Sequence, residues 1–185
     1  MTAGADAAAV RRARWVEGLL ITSIVLADQI TKLLVVLELD LHESVTVVPG
    51  LLDLTHVRNT GAAFGFLNTV DFPGKSAVIA LVALGALLGV GVYAAQLPPH
   101  HRFARIGLAF ILGGAAGNLV DRLRQGYVVD FVDAHWRGWH FWAFNVADAA
   151  ITAGVAIIVL DLLRPVPAAP PADPAAPPSE SACAS

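Results

Sequence analysis

The sequence contains little cysteine and little charge, and each shortage excludes a class of protein. Its single cysteine, Cys183, excludes a disulfide-stabilised scaffold and argues against a thiol enzyme. Charged residues make up 15% of the 185 residues, compared with about 25% in an ordinary soluble domain. The net charge of -3 offers no basic stripe for nucleic acid. No HExxH motif occurs, and His135 and His140 are five residues apart, so the sequence predicts no metal site.

Hydrophobic residues are in excess, at 56% of the chain, and they are concentrated in four blocks. The longest block without a formal charge, 76–97, has 22 residues, and about 20 helical residues cross the hydrocarbon core of a bilayer. In the third block, Gly113 and Gly117 form a G-x-x-x-G pattern that lets a neighbouring helix approach closely. We therefore predict an all-α polytopic membrane protein with transmembrane helices at 15–37, 76–97, 103–123 and 139–163.

The positions of arginine and proline predict the orientation of these spans. Arg11, Arg12 and Arg14 lie directly before the first span, and basic residues at this position favour the cytoplasmic side. Four spans return the chain to the side on which it starts, so residues 1–14 and the tail 164–185 are both expected in the cytoplasm. The tail holds seven of the eleven prolines and is predicted to be disordered.

Two connections then face outward, and their patterns differ. Segment 38–74 contains the β-rich run 44–48, a Pro-Gly turn and the alternating run 51–57, which together predict a short hairpin resting on the membrane. The other connection, 124–138, leads into tryptophans at 136, 139 and 142, and this aromatic set is typical of a membrane interface.

Polar residues inside the predicted spans are the main candidates for function, because an ionisable group there costs at least ~2.5–3.5 kcal/mol unless it is paired or hydrated. Asp28 and Lys32 are four residues apart on one helix face, and they form either a purely structural ion pair or part of a site. Asn118, Asp121 and Arg122 share a face of the third span. For Asp121 and Arg122, an interfacial charge pair is the simpler interpretation.

Two aspartates suggest a catalytic hypothesis. Asp148 follows Asn145 by three residues on the fourth span, and Asp130 lies among apolar residues just before that span. If the two carboxyl groups meet at the outer interface, repulsion leaves one protonated and one ionised, which is the state that aspartic proteases use. The spacing also permits two unrelated structural aspartates, or a ladder of charges that relays protons in a small transporter.

Five segments stand out in chain order: DQITK at 28–32, RNTGAAFG at 58–65, GGAAGNLVDR at 113–122, VVDF at 128–131 and FNVAD at 144–148. Together they resemble the lipoprotein signal peptidases, the type II signal peptidases of bacteria. The resemblance implies a four-helix intramembrane aspartic endopeptidase with a small extracytoplasmic β-cradle at about 38–74. It assigns the catalytic pair to Asp130 and Asp148. Asp28 and Lys32 are also motif positions, and we expect them to be a structural pair because they lie early on the first helix. The resemblance also implies a set of residues that bind substrate or support the dyad: Asn59, Gly61, Asn118, Asp121, Arg122, Asn145 and Ala147.

The same resemblance implies the reaction and its setting. The substrate is a prolipoprotein bearing a diacylglyceryl-cysteine, which is cleaved on the amino side of that cysteine. The enzyme is expected to be a monomer among the lipids of the bacterial inner membrane, with residues 15–163 as the peptidase domain and the active site near the extracytoplasmic face. No metal, organic cofactor or nucleic-acid partner is implied.

Overall fold

A computed structural model describes residues 3–61 and 72–164, with side chains from residue 8 onward. Within these residues the chain forms four helices: α1 (Ala3–Glu38), α2 (Lys75–Gln96), α3 (Arg102–Gln125) and α4 (Val146–Leu162). It also forms four strands: β1 (Ser44–Val48), β2 (Leu52–Asn59), β3 (Val128–Trp136) and β4 (Trp139–His140). The strands make one antiparallel sheet in the order β1-β2-β3-β4. The predicted disorder of the tail concerns residues 165–185, which lie outside the described residues.

Three of the described helices, α1, α2 and α3, are long and apolar enough to cross a bilayer. The fourth, α4, has 17 residues and begins at Val146, whereas the sequence suggested a span from 139. This difference has a backbone cause. Trp139 and His140 pair with β3 as strand β4, and Phe144 bridges to Val132, so the hydrogen-bonding groups of this segment are used by the sheet. At the other end of the chain, α1 continues through the segment expected to precede the first span.

Helix α3 is the centre of the helical assembly, because it contacts each of the other three helices. Its buried positions include four glycines, which leave room for neighbouring helices. Helix α2 lies at the periphery, with only Lys75 and Ala80 buried. Leu81 and Leu88 on α2 are 67% and 61% exposed. Apolar side chains exposed along a helix of this length suit contact with lipid rather than water.

The sheet is larger than the hairpin expected from the sequence. The hairpin itself is confirmed: β1 and β2 pair through a turn in which Gly50 has φ 77°. The next strand in the sheet, β3, occupies much of the segment expected to be an outer connection. Gly126, at φ 80°, ends α3 in the left-handed conformation that glycine adopts most readily. Strand β3 then packs Val129 and Phe131 against Val35 of α1, which ties the sheet to the helices.

Candidate active site

Asp130 lies on β3 where this strand pairs with β2, and only 2% of the residue is exposed. Asn59 on β2 donates its side-chain N–H to Asp130 Oδ2 at 2.9 Å, and Asn145 donates to Oδ1 at 2.6 Å. Burial raises the pKa of Asp130 from 3.8 to about 6. The hydrogen bonds from Asn59 and Asn145 and the charge of Lys32 lower this pKa, while the nearby charge of Asp148 raises it further. Asp130 is therefore a buried carboxyl group whose proton is retained closer to neutral pH.

Asp148 lies in the first turn of α4 and takes part in the cap of that helix. Asn145 is the N-cap residue rather than part of the helical face, as its extended backbone (φ -132°) shows. Its Oδ1 accepts the backbone N–H of Asp148 at 2.9 Å, and Asp148 Oδ2 accepts the backbone N–H of Asn145 at 3.4 Å. Since the Asn145 side chain also donates to Asp130, one amide contacts both aspartates. The cap brings the two carboxyl groups to the same end of α4.

Asn118 on α3 connects Asp148 to the buried cation Lys32. Its Nδ2 donates to Asp148 Oδ1 at 2.8 Å, and its Oδ1 accepts from Lys32 Nζ at 2.9 Å. An ammonium group can only donate hydrogen bonds, so Lys32 requires the carbonyl end of the amide to face it. The N–H end of Asn118 must then face Asp148. Lys32 thereby orients a donor toward the aspartate without contacting that aspartate itself.

Lys32 lies between the carboxylates of Asp28 and Asp121, and each of these also accepts a backbone N–H next to one aspartate of the dyad. Its Nζ is 2.8 Å from Asp28 Oδ2 and 2.9 Å from Asp121 Oδ2, and all three side chains are at most 5% exposed. The other oxygen of Asp28 accepts the N–H of Ala147 at 3.0 Å, and Asp121 Oδ2 accepts the N–H of Val129 at 3.3 Å. Ala147 and Val129 each directly precede one aspartate of the dyad. The expected pair of Asp28 and Lys32 is present, and with Asp121 it extends to the positions of both aspartates.

Gln29 is a contributor that the sequence reasoning did not select. Its Nε2 donates to Asp121 Oδ1 at 2.9 Å and to Asp28 Oδ2 at 3.2 Å, so it joins the two acidic residues that contact Lys32. The available signal was its place inside the DQITK segment, as a polar residue within a predicted span.

Small residues allow α1, α3 and α4 to meet at the site. A Cβ atom on Gly117 would lie 2.6 Å from Asp28 Oδ2, and one on Gly113 would lie 3.0 Å from Ile24 on α1. The G-x-x-x-G pattern of α3 therefore faces α1. A Cβ atom on Gly114 would instead collide with the backbone oxygen of Ala147 on α4. Substitution of these glycines would separate the helices whose contacts define the site.

Arg122 adds a positive charge at the edge of the dyad. Its guanidinium donates to the backbone oxygen of Asn118 at 3.2 Å and to that of Gly61 at 3.1 Å. It also interacts electrostatically with Asp130 and Asp148. Gly61 in turn donates its N–H to Asn59 Oδ1 at 3.0 Å, which orients the amide that contacts Asp130.

All residues that the sequence assigned to the site therefore lie in one network at the junction of the sheet with α1, α3 and α4. In this network Asp130 is buried and Asp148 is half-buried, and asparagine side chains contact both residues. A family described as signal peptidase (SPase) II matches residues 20–164. This chain belongs to the signal peptidase II family. It is accordingly a membrane protein and a peptidase.

Relatives in the signal peptidase II family match most of the chain. It is 44% identical to the lipoprotein signal peptidase of Geobacter metallireducens over 137 residues, covering 74% of this chain and 83% of that protein. It is 45% identical to the lipoprotein signal peptidase of Shewanella pealeana over 139 residues, with 74% and 79% covered. The comparisons lend no support to the small transporter considered from the sequence.

Two solved structures share the fold. Both are described as a bacterial membrane enzyme studied by the in meso method, at 2.3 Å and 1.9 Å. The first has a TM-score of 0.72 and 31% identity, with 80% of this chain and 87% of that chain covered. The second has a TM-score of 0.73 and 28% identity, with 82% and 94% covered. The arrangement of apolar helices with a small antiparallel sheet is thus the fold of a membrane enzyme.

Proposed function

We propose that this protein is an aspartic endopeptidase that removes the signal peptide from lipid-modified bacterial prolipoproteins, cleaving on the amino side of the diacylglyceryl-cysteine. The observation that carries the proposal is that one side chain, Asn145, donates to the carboxylate of Asp130 and accepts the backbone N–H of Asp148. The substrate class is supported by the names of the relatives, which are lipoprotein signal peptidases.

The geometry supports a mechanism in which the two aspartates share one proton. The ionised aspartate takes a proton from water while the water oxygen attacks the scissile carbonyl carbon. The protonated aspartate donates its proton to the carbonyl oxygen, which gives a neutral tetrahedral intermediate. Collapse of this intermediate breaks the C–N bond, the first aspartate protonates the leaving amine, and the second recovers its proton. Because the carboxyl groups interact, they titrate as a pair.

The neighbouring residues have positioning roles in this mechanism. Asn59, Asn118 and Asn145 donate to carboxylate oxygens and so fix the orientation of the dyad. Arg122 supplies a positive charge beside Asp130 and Asp148, which carry one negative charge when they share one proton. The backbone oxygen of Gly61 accepts a hydrogen bond from this guanidinium. The bond holds the segment just after β2 next to the dyad.

We place the dyad at the extracytoplasmic boundary of the inner membrane. Helix α4 has 17 residues, or about 26 Å at ~1.5 Å per residue, which is slightly less than the ~30 Å hydrocarbon core. As a fourth span it would put its N-terminus, and with it Asp148, just inside that boundary. Trp136, Trp139 and Trp142 are 62%, 67% and 63% exposed and would anchor the outer face. A cysteine carrying a diacylglyceryl group is held by the bilayer at this same depth.

This topology leaves both termini in the cytoplasm and makes the sheet a small extracytoplasmic β-cradle. Residues 15–163 would then be the peptidase domain, and the tail 164–185 a separate cytoplasmic segment. The contacts named above complete the site without a partner chain, and we propose that the protein acts as a monomer in the lipid bilayer.

The decisive experiment is cleavage of a lipid-modified preprolipoprotein by the purified protein in detergent. We expect release of the signal peptide from the lipidated substrate and no release from the same substrate without lipid. Asp130→Asn and Asp148→Asn should each retain only a trace of cleavage. Matched control variants are Asp161→Asn near the far end of α4 and Asp40→Asn on an exposed turn, both of which should cleave like the parent.

Two results would contradict the proposal. Equal cleavage of lipidated and unmodified substrate would show that the enzyme does not recognise the lipid. Retention of activity within about tenfold by either dyad variant, or roughly 1.4 kcal/mol of barrier, would show that the altered aspartate is not catalytic.

A further inference from the structure

Outside the catalytic network, four potential metal ligands lie on one part of the sheet. Asp133 and His135 are two residues apart on β3, so their side chains share a face of the strand. Across β4, His135 is the register partner of His140, and across β2, Asp133 is the register partner of Asp53. One ligand atom from each of Asp133, His135 and His140 can be chosen so that all lie within 4.8 Å of one another.

Two polar atoms in this group are buried and have no hydrogen-bond partner within the described part of the chain. They are Nδ1 of His135 and Oδ1 of Asp53. His135 Nδ1 lies 3.7 Å from Asp53 Oδ2, which is too long for a hydrogen bond. Leaving polar atoms buried and unpaired is costly, and a cation between them would satisfy both.

An ordinary contact between His140 and Asp133 explains only half of the cluster. His140 Nδ1 lies 2.8 Å and 3.0 Å from the two oxygens of Asp133, as in a simple hydrogen-bonded pair. The His140–Asp133 pair gives Nδ1 of His135 no hydrogen-bond partner. The ring of His135 only stacks on that of His140, with centroids 4.8 Å apart. A metal ion bound by both rings accounts for the whole group.

We propose that Asp133, His135 and His140 bind a zinc ion, with Asp53 as the fourth ligand. Two imidazoles and two carboxylates provide the mixed nitrogen and oxygen set that zinc accepts in four-coordinate sites, whereas magnesium and calcium prefer oxygen ligands alone. To bind through Nδ1, His140 exchanges its contact with Asp133 for the metal and carries its ring proton on Nε2. The ion would join β2, β3 and β4 at the outer end of the sheet, and it takes no part in the peptidase reaction proposed above.

Spacing along the sequence did not indicate this site, because the ligand set is assembled by strand register. Four residues lie between His135 and His140, including the turn at Arg137 and Gly138, and Asp53 comes from a strand that is distant in sequence. The prediction of no metal was based on the absence of a local motif, and such a motif carries no information about ligands that strand register brings together.

The test is a zinc titration of the full chain in detergent, purified without a polyhistidine tag and stripped with EDTA. Calorimetry with zinc chloride should give one ion per chain with a dissociation constant in the micromolar range or below. Cobalt(II) should produce the visible absorption of a tetrahedral site. Zinc should also raise the thermal unfolding midpoint of the parent protein.

Variants identify the ligands. His140→Ala and Asp133→Asn should each weaken zinc binding at least tenfold and abolish the shift in midpoint. His140 is largely exposed, at 55% of its side chain, so its removal should leave a folded protein. Control variants are His100→Ala, which alters a histidine pair remote in sequence from the sheet, and Cys183→Ser, which removes the thiol; both should bind like the parent. The proposal is overturned if the parent binds no zinc, if His140→Ala binds it unchanged, or if either control loses binding.

Discussion

The raised pKa of Asp130 predicts that its ionisation destabilises the folded protein. In the folded state this carboxyl group loses its proton at about pH 6 rather than at 3.8. At ~1.36 kcal/mol per pKa unit, the difference corresponds to about 3 kcal/mol. Between these two pH values the folded state binds more protons than the unfolded state, so stability falls as the pH rises. Above about pH 6 the folded state is destabilised by the full ~3 kcal/mol, because Asp130 is then ionised in both states.

Replacing the carboxyl group by an uncharged amide tests this reasoning. Asp130→Asn offers one acceptor oxygen instead of two, so it loses a hydrogen bond from Asn59 or Asn145 at every pH. Only in the parent is the folded state also destabilised by ionisation of the Asp130 carboxyl group. At pH 4 a small part of this destabilisation is already present, because the unfolded carboxyl group titrates at 3.8. The stability of the variant minus that of the parent should therefore increase by about 2.4 kcal/mol between pH 4 and pH 7.5, whatever its value at pH 4.

The measurement is reversible unfolding in mixed detergent and SDS micelles at several pH values, followed by tryptophan fluorescence. Asp161→Asn serves as the control for loss of a carboxylate elsewhere, at the opposite end of α4 from Asp148. A difference between Asp130→Asn and the parent that stayed constant within about 0.5 kcal/mol across this range would refute a raised pKa for Asp130.

Three further predictions concern the surroundings of the dyad. Asp28→Ala should lower the unfolding free energy by about 3–5 kcal/mol, measured by the same titration, because it leaves Lys32 with one less buried anion; a fully stable but wholly inactive variant would place Asp28 in the reaction itself. Gly114→Ala should lower the unfolding free energy by about 1–3 kcal/mol, because its Cβ would collide with backbone on α4. The control Gly91→Ala on α2, where nothing lies within 4 Å of the added Cβ, should leave stability unchanged or raise it. Equal effects of the two substitutions would contradict this packing. Truncation after Arg164 should leave membrane insertion and cleavage close to those of the full chain, and normal insertion without cleavage would show a role for the tail.

The sequence alone was sufficient where a property depends on neighbouring residues along the chain. Apolar runs longer than a bilayer requires predicted α1, α2 and α3, and the β-rich runs around Pro49-Gly50 predicted the hairpin. The separation of four residues between Asp28 and Lys32 predicted their ion pair, because helical geometry places such residues on one face. The five segments also predicted the family, which the comparisons confirmed.

The start of α4 and the existence of β3 required tertiary information. The segment from Trp139 to Asn145 is as apolar as a helix end, but its backbone pairs with a strand that is itself defined by pairing with β2. A strand that is half of a pair has no strong local signature, because its stability depends on the partner that packs beside it.

The arrangement of the site likewise depended on contacts between distant residues. Asp28 reaches the backbone of Ala147, 119 residues away, and Lys32 reaches Asn118, 86 residues away. These contacts exist because glycines at 114 and 117 let α3 approach α4 and α1 closely enough for short side chains to bridge them. Residue spacing determines which side chains share a helix face, and it carries no information about how two helices cross. The sequence by itself therefore determined which polar residues interrupt the apolar segments, and the crossing of the helices decided which of them meet near Asp130 and Asp148.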